Sequence, residues 1–166
     1  MKTILALALL ISAAPAGAQE RFTPEQRAAR FSYDLGPDEV DVASYPKAQQ
    51  ENYQVFAKTC SQCHPLARAI NSPLVSREDW RRFIKRMYAK TKTRSGAEIS
   101  NQAAKAAIEF LAYDSRIRKV KGKAAFEARA RALNLLFLEV RGERSRVQIE
   151  SDKKKVQEPA PYMGGK

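Results

Sequence analysis

The chain is poor in two residue types that usually carry chemistry. It has one histidine and two cysteines in 166 residues. A closed structural zinc site built from Cys and His needs four such ligands, so none is available without recruiting carboxylates. Two cysteines allow at most one disulfide. Beyond the first eighteen residues no run is long and apolar enough to cross a bilayer, which takes roughly 20 apolar residues. There is no internal repeat. No strand pattern matches the helical ones in quality, and the alternation in Val147-Gln148-Ile149 is too short to define a strand. Acidic residues are also scarce. The 18 Asp and Glu face 30 Lys and Arg, for a formal charge of +12. Such a surplus speaks to partners and solubility rather than to fold. It suits an acidic protein surface, a nucleic acid or an anionic membrane surface.

Met1-Lys2-Thr3, the apolar run Ile4 to Ala14 and the small residues Ala16-Gly17-Ala18 before Gln19 follow the grammar of a secretory signal. Residues 1–18 are therefore expected to be a cleaved leader. The alternative, an uncleaved anchor, fits the small residues less well. Export predicts a periplasmic protein and removes nucleic acid from the partners. The remainder divides into an N-terminal arm (19–45), a domain (46–119), an extra amphipathic helix (120–140) and a charged, flexible tail (141–166). The arm contains a turn signal, Asp34-Leu35-Gly36-Pro37-Asp38, and reads as an extended arm over the domain or a partly ordered lead-in; the tail ends Pro-Ala-Pro-Tyr-Met-Gly-Gly-Lys.

Three helices are expected in the domain, giving an all-α fold. The first starts at Pro46, where a missing N–H costs nothing, and reaches the cysteines with Tyr53, Phe56 and Ala57 on one side. The second starts after Ser76, with Asp79 completing a capping box. It runs to about Lys90 with Trp80, Phe83, Ile84 and Met87 as its apolar stripe. The third runs from Ser100 to about Lys119 with Ala104, Ala107, Ile108, Phe110 and Leu111 as its apolar set. After Gly122, Phe126, Ala130, Leu133, Phe137 and Val140 recur at steps of four and three.

Cys60-Ser61-Gln62-Cys63-His64 is a C-x-x-C-H, the attachment pattern of a covalently bound haem c. Two thiols about one helical turn apart add across the two vinyl groups of one haem. The residue after the second thiol is carried beneath the iron, where an imidazole bonds it axially. A thioredoxin-like redox pair expects a βαβ context that is absent here. A plain disulfide, the default for two cysteines in an exported protein, leaves the adjacent sole histidine unexplained.

With this motif in place, residues 50 to 119 resemble the small monohaem class I cytochromes c. Phe56, four residues before Cys60, matches the aromatic of that family's first helix. Ile108-Glu109-Phe110-Leu111 is similar to the end of its last helix. The family often has a glycine where the two helices cross, eight residues before the first cysteine. Here that position is Asn52, which implies a looser or shifted crossing. The resemblance implies a cytochrome c-like helical domain around one haem. It also implies that His64 is oriented by a backbone carbonyl of the following loop, for which Asn71-Ser72-Pro73 is the candidate.

A second histidine ligand is excluded by count. Met87 lies 23 residues after His64 and seven after Trp80, so Trp80 and Met87 share a helix face. The segment resembles a bacterial subgroup of these cytochromes with a Trp two turns before the ligand Met, which implies Met87 as sixth iron ligand. Core filler is the plainer role for a methionine on an apolar stripe. Met163, in the tail, is a poor rival, and lysine ligation or an open position are the other options. A His/Met pair fills both axial positions and raises the reduction potential, which points to an electron carrier rather than an enzyme.

Arg77, Arg81, Arg82, Lys85, Arg86, Lys90, Lys92 and Arg94 surround the Met87 stripe. They form either a docking ring for acidic redox donors and acceptors or a solvated helix face. The helix after Gly122 has three readings: packing on the haem domain, attachment to a membrane redox complex, or lying on a membrane surface. Two functional alternatives stand beside the free carrier. One is a haem c subunit of a multi-subunit dehydrogenase or membrane redox complex. The other is a haem enzyme or gas sensor with an open sixth position.

Overall fold

The computed structural model describes residues 21–93 and 96–157. The expected leader lies outside them, as do Arg94 and Met163. Among the described residues the fold is all-α, with no strand.

Six α-helices run in chain order: α1 (Pro24–Arg27), α2 (Lys47–Cys60), α3 (Ala67–Ile70), α4 (Arg77–Thr91), α5 (Asn101–Asp114) and α6 (Lys123–Gln157). A 3₁₀ turn, Ser32–Leu35, follows α1, and a π-helical segment, Ser115–Lys121, joins α5 to α6. The starts of α4 and α5 are set by hydroxyl caps. Ser76 Oγ accepts from Asp79 N and Asp79 accepts from Ser76 N, a complete capping box. Ser100 Oγ accepts from Ala103 N. Pro46 is the N-cap of α2 rather than its first helical residue.

The core lies where α2, α4 and α5 meet. Phe56 of α2 and Phe110 of α5 are both fully buried with ring centroids 5.2 Å apart, and the Tyr53 ring packs tilted at 5.0 Å from Phe110. These rings fill the α2–α5 contact, and Asn52 is only half-buried beside it. Trp80 and Ile84 bring α4 into the same cluster with Ile70 and Leu111. At the start of α4, Arg77 forms a two-pronged pair with Glu109 of α5. Burying three large aromatic side chains is worth several kcal/mol by area alone.

Two expectations are corrected. The arm is neither extended nor loosely ordered. Thr23 caps α1, with Pro24 in its first turn and Gln26 closing a capping box. Phe22 and Ala29 are buried. Arg21 pairs with Glu139 at 2.6 Å, and Arg144 Nη2 donates to Ala29 O at 2.8 Å, so the arm is pinned to α6. Further along, Arg68 donates twice to Asp34, at 2.8 and 2.7 Å, and Asn71 donates to Pro37 O at 2.9 Å. The arm thus bridges α3 and α6. Nor does the last helix end at Val140: α6 continues to Gln157. Its distal part is rich in Arg, Glu, Lys and Gln, which propagate a helix well, even though their charge reads as solvated tail.

The π segment replaces the last turn expected of α5. Gly122 N donates to Ile117 O at 3.0 Å, a five-residue step. Behind it lies a buried polar network. Asp114 is fully buried and accepts from Tyr45 Oη at 3.0 Å and from Arg118 Nε and Nη2, both at 2.6 Å. Ser115 Oγ accepts from Trp80 Nε1 at 3.1 Å. Lys119 Nζ donates to Ser72 O at 2.9 Å and Leu74 O at 3.0 Å. This network ties α4 and the segment before it to the end of α5.

Candidate functional site

Helix α2 ends at Cys60, and the chain continues through a turn in which Ser61 N donates to Ala57 O at 3.2 Å. This turn presents Cys63 to solvent, while Cys60 packs partly against the core. The two cysteines are not joined by a disulfide. Burial, and to a lesser degree the neighbouring Cys63, pushes the Cys60 thiol up to about 12.

His64 is half-buried, and its Nδ1 lies 3.0 Å from Pro65 O. A carbonyl oxygen only accepts, so Nδ1 carries a proton, and in the neutral ring Nε2 keeps its lone pair. That is the tautomer a metal ligand needs, with the second nitrogen fixed by a carbonyl. The carbonyl is not in Asn71-Ser72-Pro73. Within that loop Asn71 Nδ2 and Ser72 O are engaged elsewhere, and Asn71 Oδ1 is buried without a hydrogen-bond partner. Asn71 Nδ2 donates to Tyr33 O, Pro37 O and Ala67 O, while Ser72 O accepts from Lys119.

An open cleft of about 650 Å³ lies beside this turn. Gln62, between the two cysteines, forms one side. Tyr88, Thr91 and Lys92 at the end of α4 form another, and the segment Gly96 to Ile99 closes the third. Its size falls within the ~300–1,000 Å³ typical of small-molecule and cofactor sites. The lining mixes the rings and methyl groups of Tyr88, Ala97 and Ile99 with the polar ends of Gln62, Lys92 and Glu98.

Helix α4 leads its apolar stripe out of the core toward this cleft. Trp80 and Ile84 are buried, Met87 is half-buried, and Thr91, one turn further, lines the cleft. Met87 therefore lies on the helix face that opens at the cleft, but it is not itself one of the lining residues. Cys60, Cys63 and His64 are close in sequence in the turn, but of that turn only Gln62 lines the cleft; Cys60, Cys63 and His64 do not. Sequence reasoning missed Gln62 and residues 96–99. The one available signal, a Gly96 at φ +81 before the Ser100 cap, marks a tight turn but not what it faces.

The basic residues of α4 fall into two groups. Arg77 is paired with Glu109, Arg81 with Glu78 at 2.9 Å and Arg82 with Asp79 at 2.9 Å. Lys85, Arg86, Lys90 and Lys92 have no acidic partner among the described residues. Arg86 lies over Phe83 and Lys92 over Tyr88. The uncompensated charge thus gathers on the second half of α4, at the cleft end.

Comparison with known proteins finds no match: no family model, curated protein or solved structure is significantly similar to this chain.

Proposed function

We propose that the chain is a periplasmic one-electron carrier with a cytochrome c-like fold and a single haem c. Cys60 and Cys63 would hold it through thioether bonds, and His64 and Met87 would ligate its iron. The observation that carries this reading is the C-x-x-C-H turn at the rim of the cleft, with two free thiols and an imidazole whose Nε2 lone pair is available. The residues present fit such a group. The cysteines are three residues apart in sequence, a cleft of cofactor dimensions lies beside their turn, and Gln62 and Lys92 on its lining offer polar partners to carboxylates. When bound, the haem iron supplies ferric–ferrous exchange, and a His/Met pair sets it toward high potential.

The chain's own residues do the rest. Pro65 O fixes the imidazole tautomer. The Trp80–Ser115 bond and the Arg77–Glu109 pair hold α4 against α5 and so fix the height of Met87. Tyr88 and Ile99 keep water from the cleft wall. Lys85, Arg86, Lys90 and Lys92 attract an acidic donor or acceptor to that end of the molecule.

The test is the absorption spectrum of the exported protein and of Met87→Ala. The expected result is a haem that survives acidic organic extraction, a low-spin spectrum, and a methionine-to-iron charge-transfer band lost in the variant. A haem that extracts freely, or none at all, would sink the reading.

A second reading has its own support. Because Met87 does not line the cleft, a sixth position left open or weakly held would suit a gas-binding or catalytic haem. Carbon monoxide binding to the reduced wild type at neutral pH decides for it, and failure to bind decides for the carrier.

A further inference from the structure

Helix α4 is anchored through its first half. The Arg77–Glu109 pair and the bond from Trp80 Nε1 to Ser115 Oγ tie that half to the end of α5, and Trp80 and Ile84 are buried. From Lys85 to Lys92 no hydrogen bond or ion pair joins the helix to another element among the described residues; Thr91, Arg86 and Lys92 turn to Tyr88 and Phe83 of the same helix. Met87 lies in this second half, so its height depends on what holds the first.

The stretch that leads into α4 is gripped from behind. Arg118 Nη2 donates to Ile70 O at 2.9 Å, Lys119 Nζ to Ser72 O at 2.9 Å and Leu74 O at 3.0 Å, and Ser115 Oγ to Leu74 O at 3.3 Å. These carbonyls run from the end of α3 toward α4, between the His64 turn and the Met87 helix. Asn71 to Val75 form no helix or strand of their own. All four bonds come from the π segment, a helical form often found at functional positions. An apolar side chain in place of Lys119 would fill the space at a lower desolvation cost. What the buried ammonium adds is a fixed place for two carbonyls and a seat on the Trp80 ring, 4.8 Å from its centre.

We propose that Ser115, Arg118 and Lys119 are positioning residues for the sixth iron ligand. Through the carbonyls of Ile70, Ser72 and Leu74, and through Trp80, they fix α4 against the His64 turn and so hold Met87 in place. The inference rests on the haem reading above and adds how the two axial ligands keep their spacing. A ligand is only as well placed as the residues that support it. With the clamp loosened, α4 shifts as a lever whose far half moves most, and an outside ligand competes better with Met87.

The test is imidazole titration of the ferric, haem-loaded full chain, read with the methionine-to-iron charge-transfer band. Lys119→Met keeps most of the side chain's length and removes its donors. It is expected to bind imidazole at least roughly tenfold more tightly than the wild type and to weaken the band, with the haem still covalently attached. Ser115→Ala, the milder change, is expected to move both readouts the same way. Leu133→Ala empties a buried position of α6 outside the clamp and reports general loosening. It is expected to lower the urea midpoint and leave imidazole affinity unchanged. Wild-type band and affinity in both clamp variants would overturn the proposal, and so would a Leu133→Ala chain that gains as much affinity as they do. Those two results leave the haem reading standing. A wild type with attached haem and no methionine band would overturn the proposal together with the assignment of Met87. A chain that attaches no haem would overturn the whole reading.

Discussion

Lys119 is 5 % exposed, its ammonium held by the carbonyls of Ser72 and Leu74 and lying 4.8 Å from the centre of the Trp80 ring. Burial pulls its pKa down from the usual 10.5 to about 7; Asp114 opposes this, and Arg118 adds to it. The unfolded chain therefore binds more protons than the folded one between about pH 7 and 10.5, and stability rises with pH across that window. Tyr45 acts in the other direction, but only above pH 10. Burial first, and then Asp114, raise its phenol, so its contribution is lost as that group ionises in the unfolded chain. The Lys119 effect is thus read between pH 7 and 9, where urea unfolding should show a gain of order a few kcal/mol. Lys119→Met should flatten it, and an equal rise in the variant would assign the gain to other groups. Nothing in the sequence singled this lysine out. The stripe Ala104, Ala107, Ile108, Leu111 continues at the same spacing into Asp114, Ser115 and Lys119, and polar residues there read as a helix end meeting water. Instead, the π turn keeps them inside, where they bond to loop carbonyls more than forty residues away in sequence. The Cys60–His64 turn could be singled out for the opposite reason: the pattern that marks it is a matter of local spacing alone.

Local signals also account for which elements could be read. Helices α2, α4 and α5 appear within a residue or two of their expected starts, because proline and hydroxyl caps act through their own backbone. Ser76→Ala should cost about 1 kcal/mol in chemical denaturation, since Asp79 N then loses its acceptor at the head of the Met87 helix. The join between α5 and α6 depends on a longer-range fit. A Cβ at Gly122 would stand 2.9 Å from the carbonyl oxygen of Arg118, a backbone atom that cannot swing aside. Gly122→Ala should therefore destabilise by about 1 kcal/mol or more, whereas the same change in an open helix interior stabilises. A neutral or stabilising result would mean that the π segment relaxes to α without penalty. The arm was misread because it is ordered by contacts with α6 around Glu139 and Arg144, and it carries too little local pattern to announce them. Beyond Arg144 the exposed end of α6 rests on the helix propensity of its own residues, which their charge masked.

At the scale of the whole molecule, the surplus of twelve positive charges was plain from composition, but its placement was not. Arg77, Arg81 and Arg82 are neutralised at the start of α4, one of them by Glu109, 32 residues away. Lys85, Arg86, Lys90 and Lys92 carry the uncompensated field near the cleft, at the helix end whose dipole favours cations. Fields of this kind act on encounter and are screened over about 8–10 Å at physiological salt. For the proposed carrier, electron transfer to an acidic redox protein should slow as ionic strength rises. Lys85→Glu with Lys90→Glu should slow it further at low salt and flatten that dependence. Arg81→Gln with Glu78→Gln removes a charge of each sign and should leave rate and slope nearly unchanged. Stopped-flow measurement across a salt series separates the cases. If both double variants slow transfer equally, docking follows total charge and not the cleft end of α4. If neither variant alters the slope, the partner approaches by another surface, and the basic residues of α4 act only as a solvated face.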